Sequence, residues 1–266
     1  IDPYLGPEGS VSYYNLPGKV WTYSTAEKVF DCGHDDAGQY LSLINSDKTV
    51  LIDKRTGTYA GSVPIKLSTQ LWVTDDFFFE VENGNLYAIN KSTLNKRLIE
   101  SGVSAVARVG GDIQYITKSR SAVVRNTLNL HDFTVRKTTV VDALASGDSA
   151  SDYLPVAIDA AGKIVLYKYK GSSEDKFNGV RVYSAKNEFI KQIGSPEGNA
   201  SPDTVYAPTR EDGAVEHVVA QGGLFVVGFN LNTGAVSSAS LTSSNRKMTF
   251  SNVFETDGAT IGRAHV

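Results

Sequence analysis

Any chemistry in this chain would rest on a short roster of reactive side chains. The densest run of ligand-type residues is Asp31-Cys-Gly-His-Asp-Asp36, where imidazole, thiol and carboxylate together could hold a transition metal. The same residues also suit a solvated hairpin loop, because Asp bonds its own backbone in tight turns and Gly relaxes the backbone. The loop is the reading adopted. His131 beside Asp132 is the other acid–base pair, but a general base needs a nucleophile within reach and none is indicated, so a surface turn is expected. With four His and a single Cys, neither a thiolate cluster nor an intrachain disulfide can form. The chain has no Gly-rich phosphate loop followed by Lys, no nucleophile elbow and no H-E-x-x-H motif. No cofactor is expected.

Carboxylates show more order. Acids recur in the turn that follows the first strand of successive sequence units: Asp75 and Asp76, Asp112, Asp159, Glu211 with Asp212, and Glu255 with Asp257. Asp31, Asp35 and Asp36 play that part in the first unit. If the units close into a ring, Asp75, Asp76, Asp112, Asp159, Asp212 and Asp257 would surround one mouth of a central channel. Their summed potential would attract a cation or a basic partner. Ordinary turn chemistry is the competing explanation, since Asp is favoured in turns on its own account.

The elements that would carry these residues are almost all strands. Helical spacing of apolar residues is not sustained anywhere, and the best helical stretch, Asp142–Ala150, reads equally well as a loop. Short runs of Val, Ile, Tyr and Phe alternate with Gly, Asn, Asp and Ser turns. One pattern, strand–polar turn–strand, repeats as Val50–Val63 and Leu86–Ile99, more loosely as Leu128–Val141 and Val180–Ile193, and again as Leu224–Leu241. Two strand-like runs precede each copy, which makes four strands per unit at a blade-sized spacing. Strands remaining at the two ends, Ser10–Tyr14 and Lys19–Tyr23 with Met248–Phe254 and Ala259–His265, would together form a sixth unit and leave no open sheet edge. The expected fold is all-β: a six-bladed β-propeller of four-stranded antiparallel blades, closed by N- and C-terminal strands in one blade. It would be a single domain over residues 1–266, with 1–9 as an N-terminal extension.

Leu86-Tyr-Ala-Ile-Asn-Lys-Ser-Thr-Leu94 and Phe229-Asn-Leu-Asn-Thr-Gly234 resemble the repeats of the quinoprotein (PQQ-type) propeller superfamily. That resemblance covers about a third of the chain and implies the fold; the Trp that usually ends such repeats is missing here, and no quinone cofactor or dehydrogenase activity is implied.

Composition bounds the partners. The charged fraction of 21% and hydrophobic fraction of 41% are those of an ordinary globular protein, and a formal charge of −3 gives no global pull toward nucleic acid or an anionic membrane. No apolar run is long enough for a membrane helix, so no membrane insertion is expected. Lys163, Lys168 and Lys170 form a small basic group without interleaved aromatics, and no nucleic-acid partner is expected from it. Phe77-Phe-Phe79, Trp21 and Trp72 are expected to pack between blades. Two long connections, Lys170–Asn178 and Gly194–Asp203, are the candidate insertions. Beginning at Ile, the chain is read as a processed or excised piece, part of a larger protein or assembly.

Two functions compete. One is a non-catalytic recognition or structural module for a protein or surface partner, basic if the acidic mouth is real, displayed on a secreted, cell-surface or virion-borne protein. The other is a hydrolase or lactonase-type propeller enzyme with a divalent metal held in its channel. The missing catalytic constellations favour the first.

Overall fold

The computed structural model describes residues 4–5, 10–15, 18–25, 31–34, 40–44, 47–169, 177–196, 201–208, 212–223, 225–240, 249–256 and 259–265. Two compact units divide the chain, residues 1–103 and 104–266.

In the first unit, β1 (Tyr4–Leu5), β2 (Ser10–Asn15) and β3 (Gly18–Ser24) form a three-stranded antiparallel sheet. A four-stranded sheet follows, of β4 (Asp31–His34), β5 (Tyr40–Ile44), β6 (Thr49–Asp53) and β7 (Tyr59–Val63). The next comprises β8 (Gln70–Val73), β9 (Phe77–Glu82), β10 (Asn85–Asn90) and β11 (Lys96–Ser101). Each is a meander in which sequence neighbours pair antiparallel. The Asp31–Asp36 run departs from the loop expected there: Asp31–His34 is a strand, because it pairs in register with Leu41–Ile44. Asp35 and Asp36 lie outside the described residues.

The second unit repeats the plan three times. Its sheets are β12 (Ser104–Val109), β13 (Asp112–Lys118), β14 (Ala122–Leu128) and β15 (Val135–Asp142); then β16 (Tyr153–Ile158), β17 (Ile164–Lys168), β18 (Gly179–Tyr183) and β19 (Phe189–Gly194); then β20 (Thr204–Tyr206), β21 (His217–Gln221), β22 (Phe225–Asn230) and β23 (Val236–Ser240). A two-stranded sheet of β24 (Thr249–Thr256) and β25 (Ala259–His265) ends the chain. The stretch Asp142–Ala150 is a turn, not a helix: the Asp142 carboxylate accepts from the Ala145 N–H, and a single 3₁₀ turn, Ala150–Asp152, follows with a Ser149–Asp152 capping box.

Burial follows position in the sheet. The second and third strands are covered on both faces, so β17 is buried throughout and Phe78, Phe79 and Val81 of β9 are buried in succession. Fourth strands are largely exposed, as in β11 and β15. Tyr167, Val180, Val182, Val218, Val227 and Phe229 form the core between the last two four-stranded sheets. Trp72 is buried, whereas Trp21 is half-buried and donates its indole N–H to the Lys54 carbonyl at 2.9 Å.

The turns between third and fourth strands share one construction. A side-chain oxygen at the first position caps the turn: Asp53 accepts from the N–H groups of Arg55 and Thr56, Asn90 from Ser92 and Thr93, and Asn230 from Asn232 and Thr233. Four residues on, the backbone turns left-handed, at Gly57 (φ 72°), Leu94 (59°), Phe133 (59°) and Gly234 (76°). In the turn begun by Ser184 the left-handed residue comes one position earlier, at Asn187 (66°). Leu94 accepts an unfavourable conformation for a bulky residue, and its side chain packs on the cluster of Leu51, Val63, Leu71, Phe78 and Ile89.

Candidate binding surface

Asp75, Asp76, Asp159 and Asp212 lie between the first and second strands of their sheets, whereas Asp112 is the first residue of β13 and Asp31 begins β4, paired with Ile44 and away from the β4–β5 turn. Asp75 and Asp76 form the exposed tip of the β8–β9 hairpin, which Thr74 and Phe77 close. The Lys91 backbone N–H donates to the Asp76 carbonyl, and the Lys91 ammonium sits over the Phe78 ring. Burial pulls that ammonium below its ordinary pKa, while the two carboxylates act in the opposite direction.

Three of these hairpins adjoin one another in the second unit. Asp112 begins β13 across a Gly110-Gly111 tip and is half-buried. The Ala160 N–H donates to the Gly213 carbonyl at 2.9 Å, joining the turns that hold Asp159 and Asp212. A Cβ added at Gly162 would come within 3.6 Å of Val109, which places the Asp112 hairpin beside the Asp159 turn. Asp212 is exposed and accepts from the Ala214 N–H. Asp159 differs from the others. It is buried, one oxygen accepts from the Ala161 and Lys163 N–H groups at 3.0 and 2.8 Å, and the other lies 3.4 Å from the Lys163 ammonium. Its charge is spent on its own turn. Asp257 and Glu211 lie outside the described residues, as do residues 170–176 and 197–200 of the two long connections.

The remaining sequence candidates resolve simply. His131 is exposed, its N–H capped by the Asn129 side chain. The Asp132 carboxylate is held below the usual carboxylate range, first by the Thr134 hydroxyl and then by the Thr134 N–H. The basic group dissolves, because Lys163 is tied to Asp159 and to the Val215 carbonyl, while Lys168 is buried 3.1 Å from Asp148. Among the described residues, no three His, Cys, Asp or Glu side chains are grouped to hold a metal ion, and no helix is long and apolar enough to cross a membrane.

Sequence reasoning missed a buried polar network at the opposite ends of these strands. Asp148 accepts from the Tyr153 hydroxyl at 2.7 Å and pairs with Lys168; the Arg181 guanidinium donates to that same hydroxyl at 3.1 Å and lies over the Phe177 ring. Burial, reinforced by the bond to Asp148, drives the Tyr153 hydroxyl far above its ordinary pKa. A signal existed in the run Ile164-Val-Leu-Tyr-Lys168, where a lysine ends an otherwise apolar strand and so demands a buried counter-charge. The hydroxyl is held on both sides, which fits a structural fastening of the 143–149 turn to its sheet.

No family model and no curated protein matches the sequence. Solved structures do match in fold. A form of Kluyveromyces lactis Hsv2 with loop 6CD replaced by a Gly-Ser linker aligns with a TM-score of 0.59 at 10% identity, over 97% of this chain and 83% of that one. Kluyveromyces lactis Hsv2p aligns at 0.57 and 12% identity, over 95% and 82%. The WD40 domain of SCAP from fission yeast aligns at 0.54 and 11% identity, over 98% and 75%. These neighbours are β-propellers, and together with five four-stranded antiparallel sheets they establish the β-propeller fold. They do not confirm the quinoprotein (PQQ-type) resemblance of the hairpins, nor do they support an extracellular or virion-surface setting.

Proposed function

We propose that this chain is a non-catalytic recognition module, a six-bladed propeller spanning residues 1–266 whose N- and C-terminal strands share the closing blade. Its binding surface is the end that carries the turns between first and second strands, and its partner is a basic segment of another protein within a larger assembly. The observation that carries this reading is positional. In three of the four-stranded sheets an acid occupies the turn between first and second strands, in a fourth Asp112 directly follows that turn, and Asp75, Asp76 and Asp212 stand exposed. Propeller neighbours such as the SCAP WD40 domain fit a protein-interaction module. Asp159 supports the turn and is left out of the binding set, which is Asp75, Asp76, Asp112, Asp212 and Asp257.

A fluorescent oligolysine peptide titrated into the protein tests this reading. Replacing those five residues with Asn keeps the turn geometry and removes the charge. The variant should bind at least tenfold more weakly at low salt, and the salt dependence of binding should flatten. Equal affinity of the wild-type and Asn-substituted proteins would overturn the proposal.

A further inference from the structure

We draw no further inference here: the strongest candidate, the exposed apolar patch of Phe189 and Ile190 on the outer edge strand of the fourth four-stranded sheet (54% and 49% exposed), carries no argument for a partner, since nothing in the structure shows what covers it.

Discussion

Arg125 and Asn187, 62 residues apart, meet across two sheets, the guanidinium Nε–H donating to the amide oxygen at 2.7 Å. The other face of the Asn187 amide donates back to the Thr138 hydroxyl and the Thr139 carbonyl of the first of those sheets. Arg125 also donates to the Gln114 side chain and to the carbonyls of Gly162 and Ser184, and it is 3% exposed. Burial pulls its pKa below the ordinary value, with Asp159 offsetting part of that. Each buried carbonyl left without a donor costs about 1–3 kcal/mol. Arg125→Met should therefore lower stability by about 2–4 kcal/mol, read from the midpoint of urea unfolding. A loss below about 0.5 kcal/mol, the range of surface substitutions, would show that the guanidinium is not what joins these sheets.

Gly57 and Gly234 occupy equivalent left-handed positions with different surroundings. A Cβ at Gly234 meets nothing within 4 Å, whereas one at Gly57 would lie 2.5 Å from the Trp21 ring. Gly234→Ala should cost only the backbone penalty, about 1 kcal/mol. Gly57→Ala should cost clearly more and shift Trp21 fluorescence, because the ring must move. Equal losses for the two variants would mean that Trp21 does not pack on this turn.

Closure of the proposed propeller can be measured as a distance. With Cys32 replaced by Ser, spin labels at Ser12 and Thr260 should read roughly 20 Å or less if the end strands share a sheet, given a spacing of about 4.8 Å between neighbouring strands. A distance distribution centred far beyond that would rule out the shared blade.

Alkaline pH should act through buried tyrosines. Burial pushes the Tyr167 hydroxyl up to about 12, against a partly opposing bond from Ser195, and raises Tyr169 and Tyr183 as well. In the unfolded chain these groups ionise near their ordinary value of about 10. Their contribution to stability is thus fully present below pH 10 and is lost as pH rises through their raised folded-state values, about 12 for Tyr167. Absorbance titration of the native protein should show these tyrosines silent near pH 10, with ionisation arriving together with unfolding. A full complement of tyrosines titrating at pH 10 in a still-folded protein would contradict the burial.

Strands were legible in the sequence where alternation and turn chemistry agree. β6 (Thr49–Asp53) and β10 (Asn85–Asn90) each begin one residue before the repeats that start at Val50 and Leu86, because an Asp or Asn cap ends each strand and an antiparallel partner fixes its start. Boundaries moved where a long-range bond competed. In the last four-stranded sheet β21 begins only at His217, although Val215 just before it is apolar, since Val215 lies in the turn and its carbonyl accepts from Lys163 of the preceding sheet. Among the candidate acids, the turn positions of Asp75, Asp159 and Asp212 were readable, Asp31 and Asp112 became strand residues, and availability was not readable at all. Nothing local distinguishes Asp159 from Asp75; burial by neighbouring sheets does. Lys168 and Asp148 were likewise illegible as a pair, because 20 residues and a turn separate two groups that only the folded sheet brings together.

The seams of the second unit have a consequence for how such a chain can change over time. Lys118 reaches the Tyr153 carbonyl, Lys163 that of Val215 and Lys191 that of Leu231, each from one sheet into the next, as Arg125 reaches Gly162 and Ser184. A backbone carbonyl is present whatever side chain its residue carries. The accepting sheet can therefore replace its residues at these places without breaking the junction, so long as its backbone holds its course. Only the donor is written in the sequence. Joints of this kind let one sheet drift independently of its neighbour, and a fold assembled with them can persist after most of its residue identities have been exchanged.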